Sequence, residues 1–345
     1  MDNKKGFDNE KYLREQSRAI QKRVSKFDKL YLEIGGRLTR DGHAARVLPG
    51  YEPHNKLKLL KKLGKDLGVL YCISSSKLES GATWSDTGLT LDKLAMKETK
   101  MLEEMGIEVM GIVATRFSGE KKVLAFKKKL ARSGKNLYFT YNVSGYPTNM
   151  KSIFGPKGFS AQDLIPTNGK KIIAITGAGA NSGKMFVCLS QVFLCEKGGL
   201  SAGYAKQETF PIWNLPLNHP VNVAYEAATA DIGDVNMLDP FHKKAYGINA
   251  VNYNRDIENF AILKRLITRM VPKSNFMHSY KSPTDMGLNM AKKAIIDDSV
   301  VQAAGRAEVM RRYKFYSDNL KGKKRAKTLK RMDSVLREVG MKLVW

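Results

Sequence analysis

The chain has 345 residues, 43% of them apolar and 27% charged, with a formal net charge of +26 and three cysteines, Cys72, Cys188 and Cys195. That length allows two domains and a large core without disulfides, and the cysteines are too few and too scattered for a disulfide framework or a zinc site. The start, Met1-Asp-Asn-Lys-Lys, lacks an apolar signal core, and no apolar run reaches about 18 residues, so a cytoplasmic protein with no membrane partner is expected.

In chain order, residues 8–28 have the spacing of a helix, and Tyr31-Leu-Glu-Ile-Gly-Gly reads as a short strand ending in a turn. An amphipathic helix over Lys56–Leu67 precedes a buried strand at Val69–Ser74, and Thr90–Met105 is helical again. Ile107–Thr115, Lys121–Ser133 and Asn136–Val143 follow as strand, helix and strand. Such alternation predicts an α/β fold with a mostly parallel, Rossmann-like sheet and flanking helices. Glycines and prolines between 150 and 169 suggest a linker, which divides the chain into an N-terminal α/β domain (1–165) and a second segment (166–345). Within that segment Lys171–Thr176 is a strand and Gly183–Glu196 a helix, with Cys188 and Cys195 on its core face. Residues 206–260 are loop-rich, Ile257–Met270 is helical, and the chain from Asp298 onward is helical and basic.

The strongest local signal is Ile173-Ala-Ile-Thr-Gly-Ala-Gly-Ala-Asn-Ser-Gly-Lys-Met185, a β-rich run passing through glycines into a helix. Glycines let backbone N–H groups turn inward, and the helix start adds partial positive charge. Gly177, Gly179, Asn181, Ser182, Gly183 and Lys184 are therefore candidates for holding the phosphates of ATP or another nucleotide, with Lys184 reaching the terminal ones. The pattern departs from the Walker form twice, with Ala178 at the expected first glycine and Met185 at the hydroxyl that ordinarily meets magnesium. Ser182 or Thr176 are the substitutes for that hydroxyl, and a tight strand-to-helix turn with an incidental lysine is the alternative.

Residues 206–260 carry four Lys/Arg against seven Asp/Glu, in contrast to the rest of the chain. Asp231, Asp234 and Asp239 are candidate Mg²⁺ ligands, with helix and turn capping as the competing role, and Asp239 before Pro240 has the form of an N-cap. His219, between Asn218 and Pro220, is a candidate catalytic imidazole or a structural hydrogen-bonding group. Arg255 is a candidate catalytic residue that clamps a phosphate or carboxylate, or a structural ion-pair partner, and Lys281, in a further polar loop, is a candidate for binding the nucleotide cofactor. Asp41, His43 and Arg46 form a smaller cluster that either lines a cleft or builds a turn.

Leu32-Glu-Ile-Gly-Gly, His43-Ala-Ala-Arg-Val-Leu-Pro-Gly50, Ser182-Gly-Lys-Met185, Glu208-Thr-Phe-Pro-Ile-Trp-Asn-Leu-Pro-Leu217, Asp239-Pro-Phe-His242, Val251-Asn-Tyr-Asn-Arg-Asp256 and Tyr280-Lys-Ser-Pro-Thr-Asp-Met-Gly287 run nearly the length of the chain. Together they resemble the bacterial family called domain of unknown function 1846. That resemblance implies no established activity. It implies a further C-terminal α/β region that this chain, ending at Trp345, lacks. Some members are labelled ATP-dependent peptidases, but this sequence has neither a His-Glu-x-x-His zinc motif nor a Ser/His/Asp arrangement.

The expected function is a nucleotide-dependent, kinase- or ligase-like enzyme acting on a small polar substrate. The alternatives are a noncatalytic binder of a nucleotide or sugar phosphate and a nonspecific nucleic-acid binder. A small phosphorylated ligand is the expected partner, the charge permits polyanion attraction, and a homo-oligomer is compatible with the sequence.

Overall fold

The computed structural model describes residues 4–36, 38–84, 87–179 and 181–340. Its spine is a sheet built from β1 (Lys29–Ile34), β2 (Leu67–Ser74), β3 (Val109–Phe117), β4 (Leu137–Tyr141), β5 (Ile172–Gly177) and β6 (Ala202–Gln207). Two short strands, β7 (Asn236–Leu238) and β8 (Val251–Tyr253), pair antiparallel apart from it, and β9 (Gly287–Leu288) closes its far edge. The sheet order is β4-β3-β2-β5-β1-β6-β9, and every neighbouring pair is parallel.

Parallel strands covered on both faces need continuous apolar runs rather than alternation. β2, Leu-Gly-Val-Leu-Tyr-Cys-Ile-Ser, is buried at every position. The helix Lys184–Lys197 is buried without interruption from Phe186 to Val192, as expected for a helix lodged between sheet and neighbouring elements. All three cysteines are buried free thiols.

The chain order of the strands differs from their spatial order at four neighbouring pairs, β2–β5, β5–β1, β1–β6 and β6–β9. β5 lies between β2 and β1 and is hydrogen-bonded to both, so strands from the two sides of residue 165 share one sheet. After β2 the chain moves outward to β3, whereas after β5 it moves the opposite way, across β1 to β6. Divergence of that kind opens a crevice beyond the carboxyl ends of the strands, where ligands of open α/β sheets bind. The order also departs from the doubly wound 3-2-1-4-5-6 arrangement, because its central strand is contributed late in the chain.

The basic C-terminal part is two helices, Asp298–Asn319 and Gly322–Glu338. The first packs closely on the helix Pro220–Ala228. A Cβ on Gly305 would stand 2.7 Å from the Pro220 carbonyl oxygen. From this helix the buried Glu308 gathers Arg46, Arg311, Arg312 and His43, with Arg311 Nε 2.6 Å and Arg46 Nε 2.8 Å from Oε2. Part of the chain's positive charge is thereby committed to internal ion pairs. No helix among the described residues is long and apolar enough to cross a membrane.

Candidate functional site

The glycine turn leaves β5 and leans across the end of β2 to reach the end of β3. Ala178 N–H donates to the Cys72 carbonyl at 3.2 Å, and Gly177 passes so close to that carbonyl that a Cβ would sit 2.3 Å from its oxygen. Gly179 (φ +76°) lies under the indole of Trp84, and Gly183 (φ +85°) packs against Thr115. These glycines are thus fixed by close approach as well as by left-handed backbone. The end of β3 holds the turn through two side chains. Thr115 Oγ1 lies 2.9 Å from the Ser182 carbonyl oxygen, and Arg116 Nη2 donates to the Asn181 carbonyl at 3.1 Å.

Gly183 caps the helix Lys184–Lys197, so the first N–H groups of that helix have no intrahelical acceptor. Lys184 folds back until Nζ rests 3.3 Å from the Gly179 carbonyl oxygen. Ser182 and Thr176 are 2% and 1% exposed, and neither hydroxyl has a hydrogen-bond partner among the described residues. A buried hydroxyl without a partner is costly, and it marks a place where polar capacity is left over.

This turn forms one wall of a cleft of 1330 Å³ at the carboxyl edge of the sheet. Nine Lys/Arg and six Asp/Glu line it, so the cleft attracts anions. The ends of β1 and β6 form its floor, where Lys206 Nζ lies 2.8 Å from Glu208 and 2.8 Å from Asp256. Beside them Tyr204 donates its hydroxyl to Glu33 at 2.8 Å. Burial alone would depress the Lys206 ammonium, but Asp256, Glu208 and Glu33 outweigh it and raise its pKa. Burial pushes the Glu208 carboxyl up to about 7; Lys206 opposes the rise, and Asp256 and Glu33 add to it. Three carboxylates around one ammonium cannot all ionise at low cost. Deeper in the same cleft Lys56 pairs with Asp41 at 2.9 Å and donates to the Gly35 carbonyl at 2.7 Å. Lys56 is only 4% exposed.

Of the residues singled out from sequence, Gly179, Asn181, Ser182, Gly183, Lys184, Asp234 and Arg255 line this cleft, as do Asp41, His43 and Arg46. Gly177 lies behind the wall. Arg255 Nη2 pairs with Asp234 Oδ2 at 2.6 Å, and Asp234 Oδ1 is buried without a partner.

His219, Asp231, Asp239 and Lys281 lie outside the cleft lining. Asp239 is the N-cap of the helix Pro240–Tyr246, accepting from Phe241 and His242 N–H, and its other oxygen accepts from Asn252 at 3.0 Å. Asp231 accepts from Tyr316 and Lys324. His219 caps the helix Pro220–Ala228 through Nδ1, with Nε2 3.0 Å from Asp298. Lys281 Nζ sits over the Tyr246 ring at 5.7 Å. The three aspartates are therefore not assembled into one group, and among the described residues no three His, Cys, Asp or Glu stand where they could hold a metal ion.

Arg116, Glu33, Lys206 and Glu208 carry no signal in the sequence that marks them as site residues. Glu33 and Glu208 sit inside recognisable segments, but nothing in their spacing announces that β1 and β6 lie side by side.

The fold and cleft define a mostly parallel α/β protein with a wide, net-basic cleft at a topological switch of its sheet. Residues 5–340 match the family model described as Domain of unknown function DUF1846, N-terminal, and the chain belongs to that family. A UPF0371 protein of Streptococcus pneumoniae serotype 2 (strain D39 / NCTC 7466) is 46% identical over 311 residues, covering 90% of this chain and 62% of the relative. UPF0371 protein spr0309 of Streptococcus pneumoniae (strain ATCC BAA-255 / R6) and the UPF0371 protein of serotype 4 (strain ATCC BAA-334 / TIGR4) match with the same identity and coverage. The chain thus spans less than two thirds of the length of these relatives.

Proposed function

We propose that the cleft binds a phosphorylated ligand through the glycine turn, and that the chain serves a nucleotide-dependent, kinase- or ligase-like reaction on a small polar substrate. The observation that carries the reading is the spare polar capacity of the turn. The start of helix Lys184–Lys197, which has no side-chain cap, the Lys184 ammonium on its own loop carbonyl and the buried Ser182 hydroxyl all border one cleft. Phosphate oxygens would satisfy all three.

Mg²⁺ prefers hard oxygen ligands and is ordinarily held by one or two protein groups together with phosphates and water. Ser182 Oγ and Asp234 Oδ1 are cleft oxygens with unused capacity, and either would offer the ion a hard ligand. When bound, the ion would neutralise phosphate charge. Catalysis by this protein then consists mainly of positioning and charge compensation, with Lys184 on the phosphates and Arg255, held by Asp234, beside the second substrate. Glu208, with its raised pKa, is suited to exchange a proton near neutral pH.

Isothermal titration of wild type and Lys184→Ala with ATP and Mg²⁺ tests the reading. The expected result is at least a tenfold loss of affinity in the variant, on the order of 1.4 kcal/mol, with an unchanged melting temperature of the free protein. Equal affinity in the two proteins, or no binding by wild type, overturns it. A binder without turnover is the second reading. It is favoured by Met185, which occupies the position after the lysine where a hydroxyl ordinarily serves magnesium. Bound nucleotide recovered intact after hours with candidate acceptors selects it. Nucleic-acid attraction draws on net charge alone and would vanish between low and physiological salt.

A further inference from the structure

We infer that Arg116 is a second phosphate-binding cation of the glycine turn, aimed by a bulge at the end of β3 and serving ligands that carry a polyphosphate chain. The inference rests on the phosphate reading of the turn. It starts from backbone geometry. Among the described residues three non-glycine residues have positive φ: Arg116 (+58°), Asn168 (+47°) and Asn181 (+61°). Asparagine tolerates that region, whereas arginine rarely enters it, and such strain persists only where surroundings impose it. Two of these three residues touch each other, because Arg116 Nη2 donates to the Asn181 carbonyl at 3.1 Å.

The pairing register explains how Arg116 reaches that place. Ala114 of β3 faces Phe139 of β4, and Phe117 faces Tyr141, so three steps along β3 match two along β4. The extra residue falls at Thr115–Arg116. A bulge of this kind re-aims a side chain and recurs beside binding sites. Here it lets two consecutive residues, Thr115 and Arg116, meet the consecutive carbonyls of Ser182 and Asn181.

The Arg116 guanidinium is exposed on the cleft and also lies 3.4 Å from Ser74 Oγ. Among the described residues no carboxylate is within ion-pair distance of it. A guanidinium has five N–H donors, and a neutral carbonyl and a hydroxyl use only part of that capacity. Its planar fork matches phosphate oxygens, and it rests on the Asn181 carbonyl while Lys184 rests on the Gly179 carbonyl of the same turn. Two cations on one turn suit a ligand with several adjacent negative charges better than a monoester.

The test uses Arg116→Gly and Arg116→Asn, both of which accept the left-handed backbone, and measures melting temperature and affinity for inorganic tripolyphosphate, ATP and AMP. If the inference holds, both variants melt no lower than wild type while tripolyphosphate and ATP bind at least tenfold more weakly and AMP changes by less than threefold. Unchanged tripolyphosphate affinity overturns it. So does a melting temperature that falls in step with affinity, which would make Arg116 a structural clamp of the turn. A loss confined to ATP overturns it too, because the nucleoside and not the phosphates would then be the contact. Lys184→Ala separates the two readings. If that variant loses tripolyphosphate and Arg116→Gly does not, only the role of Arg116 fails; if neither loses it, the phosphate reading of the turn fails as well.

Discussion

The glycine turn after β5 and three residues of the acidic stretch 206–260, Asp239, His219 and Asp231, both stand out in the sequence, but the fold uses their polar groups in opposite ways. In the acidic stretch Asp239 accepts from two backbone N–H groups, from Asn252 and from Thr284, while 0% of it is exposed. His219 and Asp231 are similarly engaged. At the turn, buried Ser182 and Thr176 hydroxyls have no partner, and Lys184 meets only a carbonyl of its own loop among the described residues. A polar residue whose hydrogen-bonding capacity is filled by the fold holds the fold. A site is sought where capacity remains.

That contrast predicts opposite phenotypes. Asp239→Ala leaves two helix N–H groups, an amide and a hydroxyl without their acceptor inside the protein. The expected cost is about 2–4 kcal/mol of stability, read as a lowered urea midpoint, with phosphate-ligand affinity of the folded fraction unchanged. Loss of ligand affinity with no loss of stability would break the comparison, because Asp239 would then belong with Lys184.

The floor of the cleft supplies a prediction of similar size with a pH signature. Glu208 has a folded-state pKa of about 7, raised by burial from an ordinary 4.5. Below the unfolded value the group is protonated in both states and contributes nothing. Above pH 7 it is ionised in both, and the folded state carries the penalty. Stability therefore falls as pH rises through this window, by roughly 3 kcal/mol for a shift of this size. Glu208→Gln removes the titration, so the variant should overtake wild type in stability at pH 8 and lose that advantage near pH 4.5. A variant less stable than wild type at pH 8 would mean that the Lys206 ion pair outweighs the desolvation.

These two residues also show what was legible in advance. The Asp-Pro step at 239–240 announced its cap because capping is local chemistry. Most strands were legible as apolar runs, and the glycine turn was legible because strand, glycines and lysine adjoin in the chain. The sheet order was not, since β5 enters between β1 and β2 by contacts far apart in sequence. Glu208 gains its character only when β6 meets β1, and Asp256 arrives from another helix to share Lys206. Arg116 sits in Val-Ala-Thr-Arg-Phe, which reads as an ordinary strand, because a bulge is a mismatch between two strands and leaves no trace in one of them.

The smallest effect belongs to His219, and it bears on whether that imidazole is a cap or a catalyst. Nδ1 accepts from Val221 N–H at 3.3 Å, which requires a neutral ring with its proton on Nε2 toward Asp298. Burial lowers the His219 pKa, and the Asp298 carboxylate opposes the drop. The stabilising form is therefore the neutral one, so its contribution is full above the ordinary histidine value and is lost as pH falls from there through the lowered folded value. His219→Ala should cost about 1 kcal/mol at pH 8, with the difference from wild type shrinking on acidification, whereas His219→Asn, which can cap the same helix, should retain most of the stability. Nucleotide affinity should be the same in all three proteins. If affinity falls in His219→Asn while stability holds, the imidazole acts on the ligand.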